Sequence, residues 1–201
     1  MQKIVVVDYG MGNLLSVENI FRKFGVEVII SSNKDEIAAA EKLVLPGVGA
    51  CKVAMQELKT RGLVEAICKF INTNRPYLGI CLGLQLLFEY SEEGGGVSGL
   101  GILKGNVRRL KPDVKIPHMG WNQIKIKNKT PLLKNIQDLS FVYFVHSYYV
   151  LPVDQGIIMT TTTYGGDFAS SVNRDNLYGT QFHPEKSQHV GMQIIKNFVE
   201  I

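Results

Sequence analysis

The chain has 201 residues, 45% of them hydrophobic, and a formal net charge of +4. That is enough apolar material for one domain with a real core, and too mild a charge to indicate a nucleic-acid partner. No apolar run approaches the ~20 residues of a membrane span, and three cysteines without close pairing (Cys51, Cys68, Cys81) argue against a disulfide framework and suit a reducing, cytoplasmic setting.

The opening stretch, Met1 to Asp8, carries an apolar run too short for a secretory leader; Ile4 to Asp8 reads as a buried parallel strand. Leu14, Val17, Ile20, Phe21 and Phe24 then follow helical spacing, closed by Gly25. Strands are predicted at Val26–Ile30 and Lys42–Leu45, the latter ended by Pro46-Gly47-Val48-Gly49. Helical patterns follow around Val53 to Leu58 and at Leu63, Ile67, Phe70 and Ile71. A strand-like run from Arg75 leads into Gly79-Ile80-Cys81-Leu82-Gly83, and an amphipathic run from Leu84 to Glu89 reads as a helix.

Such alternation implies a parallel sheet covered by helices on both faces. After about residue 90 the pattern changes. Glycine clusters at 94–96 and 99–101 mark a loop, and Trp121 to Lys127 alternates as a half-exposed strand. Further strands are predicted at Phe141–Val150, Ile157–Thr163, Ala169–Asn173 and Leu177–Phe182, and an amphipathic helix over Ser187–Val199. No repeat or linker divides the chain. The expected fold is a single α/β domain, 1–201, with an open, mostly parallel central sheet, helices on both faces and a β-rich C-terminal half.

Glycine two residues before and after Cys81 has the spacing of a nucleophile elbow with cysteine in place of serine. The turn is sharp enough to require small neighbours, and it would place the sulfur at a helix N-terminus that favours a thiolate. A buried cysteine is also commonly an inert small hydrophobe, and Cys51 and Cys68, on helical patterns, read that way. A cysteine nucleophile needs a base and the base an orienter. Of the four histidines, His189 reads as solvated on the last helix, and His118 and His146 as ordinary histidines near strands. His183 follows a strand and precedes Pro184 and Glu185, which could bind its ring and fix the tautomer; a solvated His-Pro-Glu turn is the alternative. Pro46-Gly47-Val48-Gly49 reads as a simple turn or as a loop presenting N–H groups to an oxyanion, with the Leu82 N–H as second donor.

Gly10-Met11-Gly12-Asn13 does not make a dinucleotide fingerprint, because Leu15 stands where the third glycine belongs. No phosphate-loop pattern and no zinc-ligand spacing occurs, so neither cofactor nor metal is expected.

Three blocks in order, Pro46-Gly47-Val48-Gly49, Gly79-Ile80-Cys81-Leu82-Gly83-Leu84-Gln85 and Gln181-Phe182-His183-Pro184-Glu185-Lys186-Ser187, resemble the class I, triad-type glutamine amidotransferases, whose core is flavodoxin-like. Asp8-Tyr9-Gly10-Met11-Gly12-Asn13-Leu14, Pro117-His118-Met119-Gly120-Trp121-Asn122 and Phe144-Val145-His146-Ser147-Tyr148 narrow the likeness to the glutaminase subunits of imidazole glycerol phosphate synthases, along the whole chain.

The resemblance implies Cys81 as nucleophile, His183 as general acid and base, and Glu185 as orienter. It implies an oxyanion hole from Gly47, Val48, Gly49 and Leu82. Gln85, Ser147 and Tyr148 would contact glutamine. It also implies a heterodimeric partner, a (β/α)8-barrel cyclase subunit. Asn13, His118, Met119, Trp121, Asn122 and Tyr143 are the candidate partner contacts; for Trp121 a place in the core is the competing reading. The competing functions are delivery of the ammonia to another acceptor, a stand-alone γ-glutamyl hydrolase, and a catalytically silent binding subunit.

Overall fold

The computed structural model describes residues 3–111 and 113–201. Met1 and Gln2, which open the stretch too short for a leader, lie outside them. The first half runs β1 (Lys3–Val7), α1 (Leu14–Arg22), β2 (Glu27–Ser31), α2 (Lys34–Ala39), β3 (Lys42–Gly47), α3 (Cys51–Thr60), α4 (Leu63–Asn72), β4 (Tyr77–Cys81) and the one-turn α5 (Leu82–Gln85). The second runs β5 (Phe88–Ser91), β6 (Val97–Ser98), β7 (Leu103–Arg109), β8 (His118–Ile126), β9 (Ser140–His146), β10 (Tyr148–Pro152), β11 (Ile158–Thr163), β12 (Asp167–Arg174), β13 (Leu177–Thr180) and α6 (Gln188–Glu200).

The central strands lie in the order β2-β1-β3-β4-β13, all parallel. They are short, apolar and buried on both faces, as parallel strands covered by helices must be. Alternation in β1 divides the core in two. Val5 and Val7 pack on one side with Leu58 of α3 and Ile67 and Phe70 of α4. Ile4 and Val6 pack on the other with Phe21 of α1 and Ile194 and Phe198 of α6. The predicted open, mostly parallel sheet with helices on both faces is therefore present. Beyond β13 the sheet continues through β12, β10, β7, β5 and β6, and β11, β8 and β9 branch from β12, giving the β-rich second half.

Several elements differ from expectation. The run predicted as one strand over Phe141–Val150 is two strands broken at Ser147. Up to His146 it pairs with β8, and from Tyr148 it pairs with β7, so the chain changes partners at that residue. The helix predicted over Leu84–Glu89 is only α5, and the chain returns as β5. Leu82 through Phe88 are buried throughout, so the segment has no polar face to sustain a surface helix. The Leu86 and Leu87 carbonyls are taken by N–H groups of Leu100, Ile102 and Leu103 instead. β8 also begins at His118, three residues before the predicted strand.

Candidate active site

The glycines around Cys81 are there for packing. A Cβ on Gly83 would lie 1.8 Å from the Leu45 carbonyl oxygen, and one on Gly79 would lie 2.6 Å from the Gly83 carbonyl oxygen. Only glycine lets α5 sit this close to β3 and β4. The turn holds Cys81 at φ 53° and ψ −104°, a conformation that costs a non-glycine residue about 1–3 kcal/mol. α5 has four residues, too few for much of a macrodipole, so the sulfur is polarised chiefly by its immediate neighbours.

The second block reaches Cys81 because β13 pairs with β4 in parallel, with Thr180 level with Ile80. Beyond that pair, Gln181 places its side-chain nitrogen 3.5 Å from Cys81 Sγ. His183 follows, its backbone N–H donating to the Tyr143 carbonyl at 2.9 Å. The buried Ser187 hydroxyl fastens the loop again, donating to the His183 carbonyl at 2.7 Å and accepting from the Tyr143 N–H at 2.9 Å. Glu185 Oε1 accepts from His183 Nδ1 at 2.7 Å, and the two side chains are only 3% and 2% exposed. His183 is extended, as predicted, but Glu185 returns to it through a tight turn over Pro184–Lys186 and not along an extended strand.

With Nδ1 bound to Glu185, Nε2 is the edge left for Cys81, close enough to feel it but without a hydrogen bond of regular geometry. Burial pushes the His183 pKa down. Cys81 and Glu185, by hydrogen bonding and by charge, outweigh it and raise the imidazole from 6.5 to about 10. The arrangement therefore favours an imidazolium between the Glu185 carboxylate and the Cys81 sulfur.

Gly47, the last residue of β3, lies level with Cys81 in the sheet. A Cβ on it would meet the Tyr9 hydroxyl at 2.2 Å and Leu82 Cβ at 3.0 Å. Gly49 takes φ 96°, a value suited to glycine, and Val48 between them is exposed. The Leu82 N–H, first in α5, has no partner within the helix. Val48, Gly49, Cys81 and Leu82 all line one cavity of about 580 Å³.

Gln85, Ser147 and Tyr148 line the same cavity, so all three candidate substrate contacts are brought to the sulfur. The partner break at Ser147 is what turns this segment into the cavity. Pro117, His146 and Lys186, which stand in the quoted blocks without a pocket role, line it too, as does Glu93, which nothing in the sequence marks and which also binds the first N–H of α3 at 2.6 Å. Gln181 stands in the sequence only as part of a motif. Its one signal there is an amide in an otherwise apolar strand end.

Of the candidate partner contacts, Asn13 caps α1 at the surface, and Met119 and Trp121 are 63% and 46% exposed on β8. Trp121 meets the half-buried Tyr143 edge to face at 6.1 Å. His118 does not belong to this surface. It is buried, stacked on Tyr164 and Phe144, with Nδ1 2.9 Å from His146 Nε2. Asn122 is half-buried and turned inward to His118 and the Thr163 carbonyl. Burial holds both imidazoles neutral, at pKa values of about 4 for His118 and about 3 for His146.

Cys51 is buried, with its thiol pushed up to about 11 by burial, and Cys68 is half-buried, so neither resembles Cys81 in setting. His189 is exposed. Among the described residues no group of three or more His, Cys, Asp or Glu could hold a metal ion, and no helix is long and apolar enough to cross a membrane.

The sequence model of the family described as glutamine amidotransferase class-I matches residues 5–201. The chain is 49% identical to imidazole glycerol phosphate synthase subunit HisH of Moorella thermoacetica, over 100% of this chain and 96% of that one. It is 47% identical to the protein of the same name in Geobacter sulfurreducens, with all of both chains covered. Among solved structures, PurLQS from Thermotoga maritima superposes with a TM-score of 0.78 at 18% identity, over 99% of this chain and 98% of that one. At that identity the structure speaks for the fold.

Proposed function

The chain belongs to the class-I glutamine amidotransferases, and we propose that Cys81, His183 and Glu185 are the triad with which it takes ammonia from glutamine. Its function is that of the glutaminase subunit of imidazole glycerol phosphate synthase, the role of its full-length relatives. The observation that carries the triad is the buried His183–Glu185 pair, 2.7 Å apart, beside a strained cysteine that lines the cavity.

The Cys81 thiolate attacks the side-chain carbonyl carbon of glutamine, and the electron pair moves to oxygen. Backbone N–H groups of Leu82 and of the Gly47–Gly49 loop receive that oxyanion. The His183 imidazolium gives its proton to the departing nitrogen, and ammonia leaves. His183 then takes a proton from water as the water attacks the thioester, and collapse returns glutamate and the thiolate. Glu185 keeps its proton-free oxygen on Nδ1 throughout, fixing the tautomer. Ser147 and Tyr148 hold the amino-acid end of the substrate, and Gln85 contacts it from α5.

Ammonia released into water would be protonated and lost as a nucleophile, so the synthase subunit must receive it directly. We assign that partner to the (β/α)8-barrel class and its contact to the face that carries Met119, Trp121 and Tyr143. Among the described residues no helix is long and apolar enough to span a membrane; we assign the complex to the cytoplasm. The Val48 peptide lies between two glycines, so a shift there on binding of the partner's substrate would complete the oxyanion hole.

Cys81→Ala should abolish glutamine-dependent product formation in the assembled synthase and leave ammonia-dependent formation intact. Surviving glutamine hydrolysis would overturn the triad. Equal glutamine hydrolysis by the complex with and without the partner's ligand would sink the Val48 shift.

A further inference from the structure

We propose that Gln181 is a positioning residue for the nucleophile, with its side-chain N–H donating to Cys81 Sγ in an orientation that Gln85 imposes. The proposal rests on Cys81 being the nucleophile and adds a group that never meets the substrate.

An amide side chain can present nitrogen or oxygen to a neighbour, and its partners decide which. Here they leave no choice. The Tyr148 backbone carbonyl can only accept, so the Gln85 group 2.9 Å from it is the NH2. The second hydrogen of that NH2 points to Gln181 at 3.0 Å, and the atom there must be Oε1. The other end of the Gln181 amide, Nε2, is therefore the one 3.5 Å from Cys81 Sγ. Reversing Gln85 would set two acceptor oxygens against each other in a buried place, at a cost of about 1–3 kcal/mol for each unsatisfied group. His146 tightens the assignment. Its Nδ1 donates to the same Tyr148 carbonyl at 2.8 Å, so both lone pairs of that oxygen are engaged.

A hydrogen bond to an ionised acceptor is roughly twice as strong as one between neutral groups. The Gln181 donor is fully buried and unscreened by water, so it favours the thiolate over the thiol. Around the sulfur it acts beside His183 and against the Val145 carbonyl, which lies 3.8 Å from Sγ and would accept an S–H. Tyr9 also faces Cys81, but burial keeps its phenol neutral. His146, neutral and one step further out, faces His183. His183 changes protonation during the reaction and Gln181 does not, so Gln181 keeps its hold on the sulfur at every stage. Gln181 is fully buried, whereas Gln85 lines the cavity, which separates their roles.

The test compares Gln181→Met, which keeps volume and loses the donor, with Gln181→Glu, which keeps shape and turns an acceptor toward sulfur. Both are made in the assembled synthase. The pH midpoint of Cys81 alkylation by iodoacetamide is read by peptide mass spectrometry, alongside kcat and KM for glutamine. The midpoint should rise by about one pH unit in Gln181→Met, a tenfold smaller thiolate fraction below it, and further in Gln181→Glu. kcat should fall in step while KM stays put. If Gln181→Glu does not fold, the methionine variant decides alone. An unchanged alkylation midpoint, whatever happens to kcat, overturns the proposal. Loss of the nucleophile assignment would show separately, as glutamine hydrolysis surviving in Cys81→Ala.

Discussion

His183 sits where two effects of opposite sign meet. Burial alone would empty its ring of charge, and Cys81 and Glu185 restore the charge to a pKa of about 10. Because the folded value lies above the unfolded one of about 6.5, this pair stabilises the fold fully below pH 6.5, and the gain is lost as pH rises through about 10. The same value should set the upper limit of activity, because the leaving nitrogen needs the imidazolium proton. Glu185→Gln removes both the charge and the strong acceptor. The alkaline limb of kcat/KM for glutamine should then move down from near 10 by at least about one unit. A pH–rate profile of the variant complex checks this, and a limb that stays in place would mean that Glu185 does not hold the proton. The His183–Glu185 pair was foreshadowed by their spacing across Pro184, though a solvated turn was equally open there, and the proposed base role comes from the family resemblance. The pairing of His118 with His146 was not foreshadowed, since it joins residues far apart in sequence through the β8–β9 register.

The elbow shows which parts of an element a sequence can reveal. The glycines at 79 and 83 were readable from their spacing about Cys81, although only Gly79 answers to a local neighbour and Gly83 to the Leu45 carbonyl on β3. The length of α5 was not, because it depends on what Leu86 and Leu87 meet across the sheet. The tight seat of Gly83 gives the elbow a direct test. Gly83→Ala would push a methyl into the Leu45 carbonyl, 1.8 Å away, and no flexible side chain can yield there. It should destabilise the protein by about 2–4 kcal/mol, read as a lower urea midpoint. Gly25→Ala, at φ 70° with nothing within 4 Å, should cost about 1 kcal/mol from backbone strain alone. Equal midpoints for the two variants would show that α5 does not need the close approach.

Across the whole molecule, the parallel core was legible from apolar runs separated by helical spacing, and three catalytic blocks could be ordered along it. What stayed hidden were the strand crossings: the change of partners at Ser147, and the fact that Glu93 reaches the cavity from a distant loop. The exterior follows the same division. Met119, Trp121 and Phe141 form an apolar strip on the β8–β9 hairpin at 63%, 46% and 54% exposure, more than a free surface hairpin needs. Trp121→Ala should weaken association with the synthase partner about tenfold or more, while the free chain melts within a few degrees of the parent. Calorimetric titration of one subunit into the other measures it, and an unchanged affinity would place the contact elsewhere.

The parallel seat of β13 beside β4 has a consequence for the chain as it is made. Cys81 is translated about a hundred residues before the Gln181 amide and the His183 imidazole that the proposed mechanism sets against it. Only with β13 in place between β4 and β12 does Cys81 have those two groups beside it. On the proposed mechanism, a chain that stops short of β13 lacks both groups and should not hydrolyse glutamine, which a truncation ending before Leu177 would check by glutaminase assay.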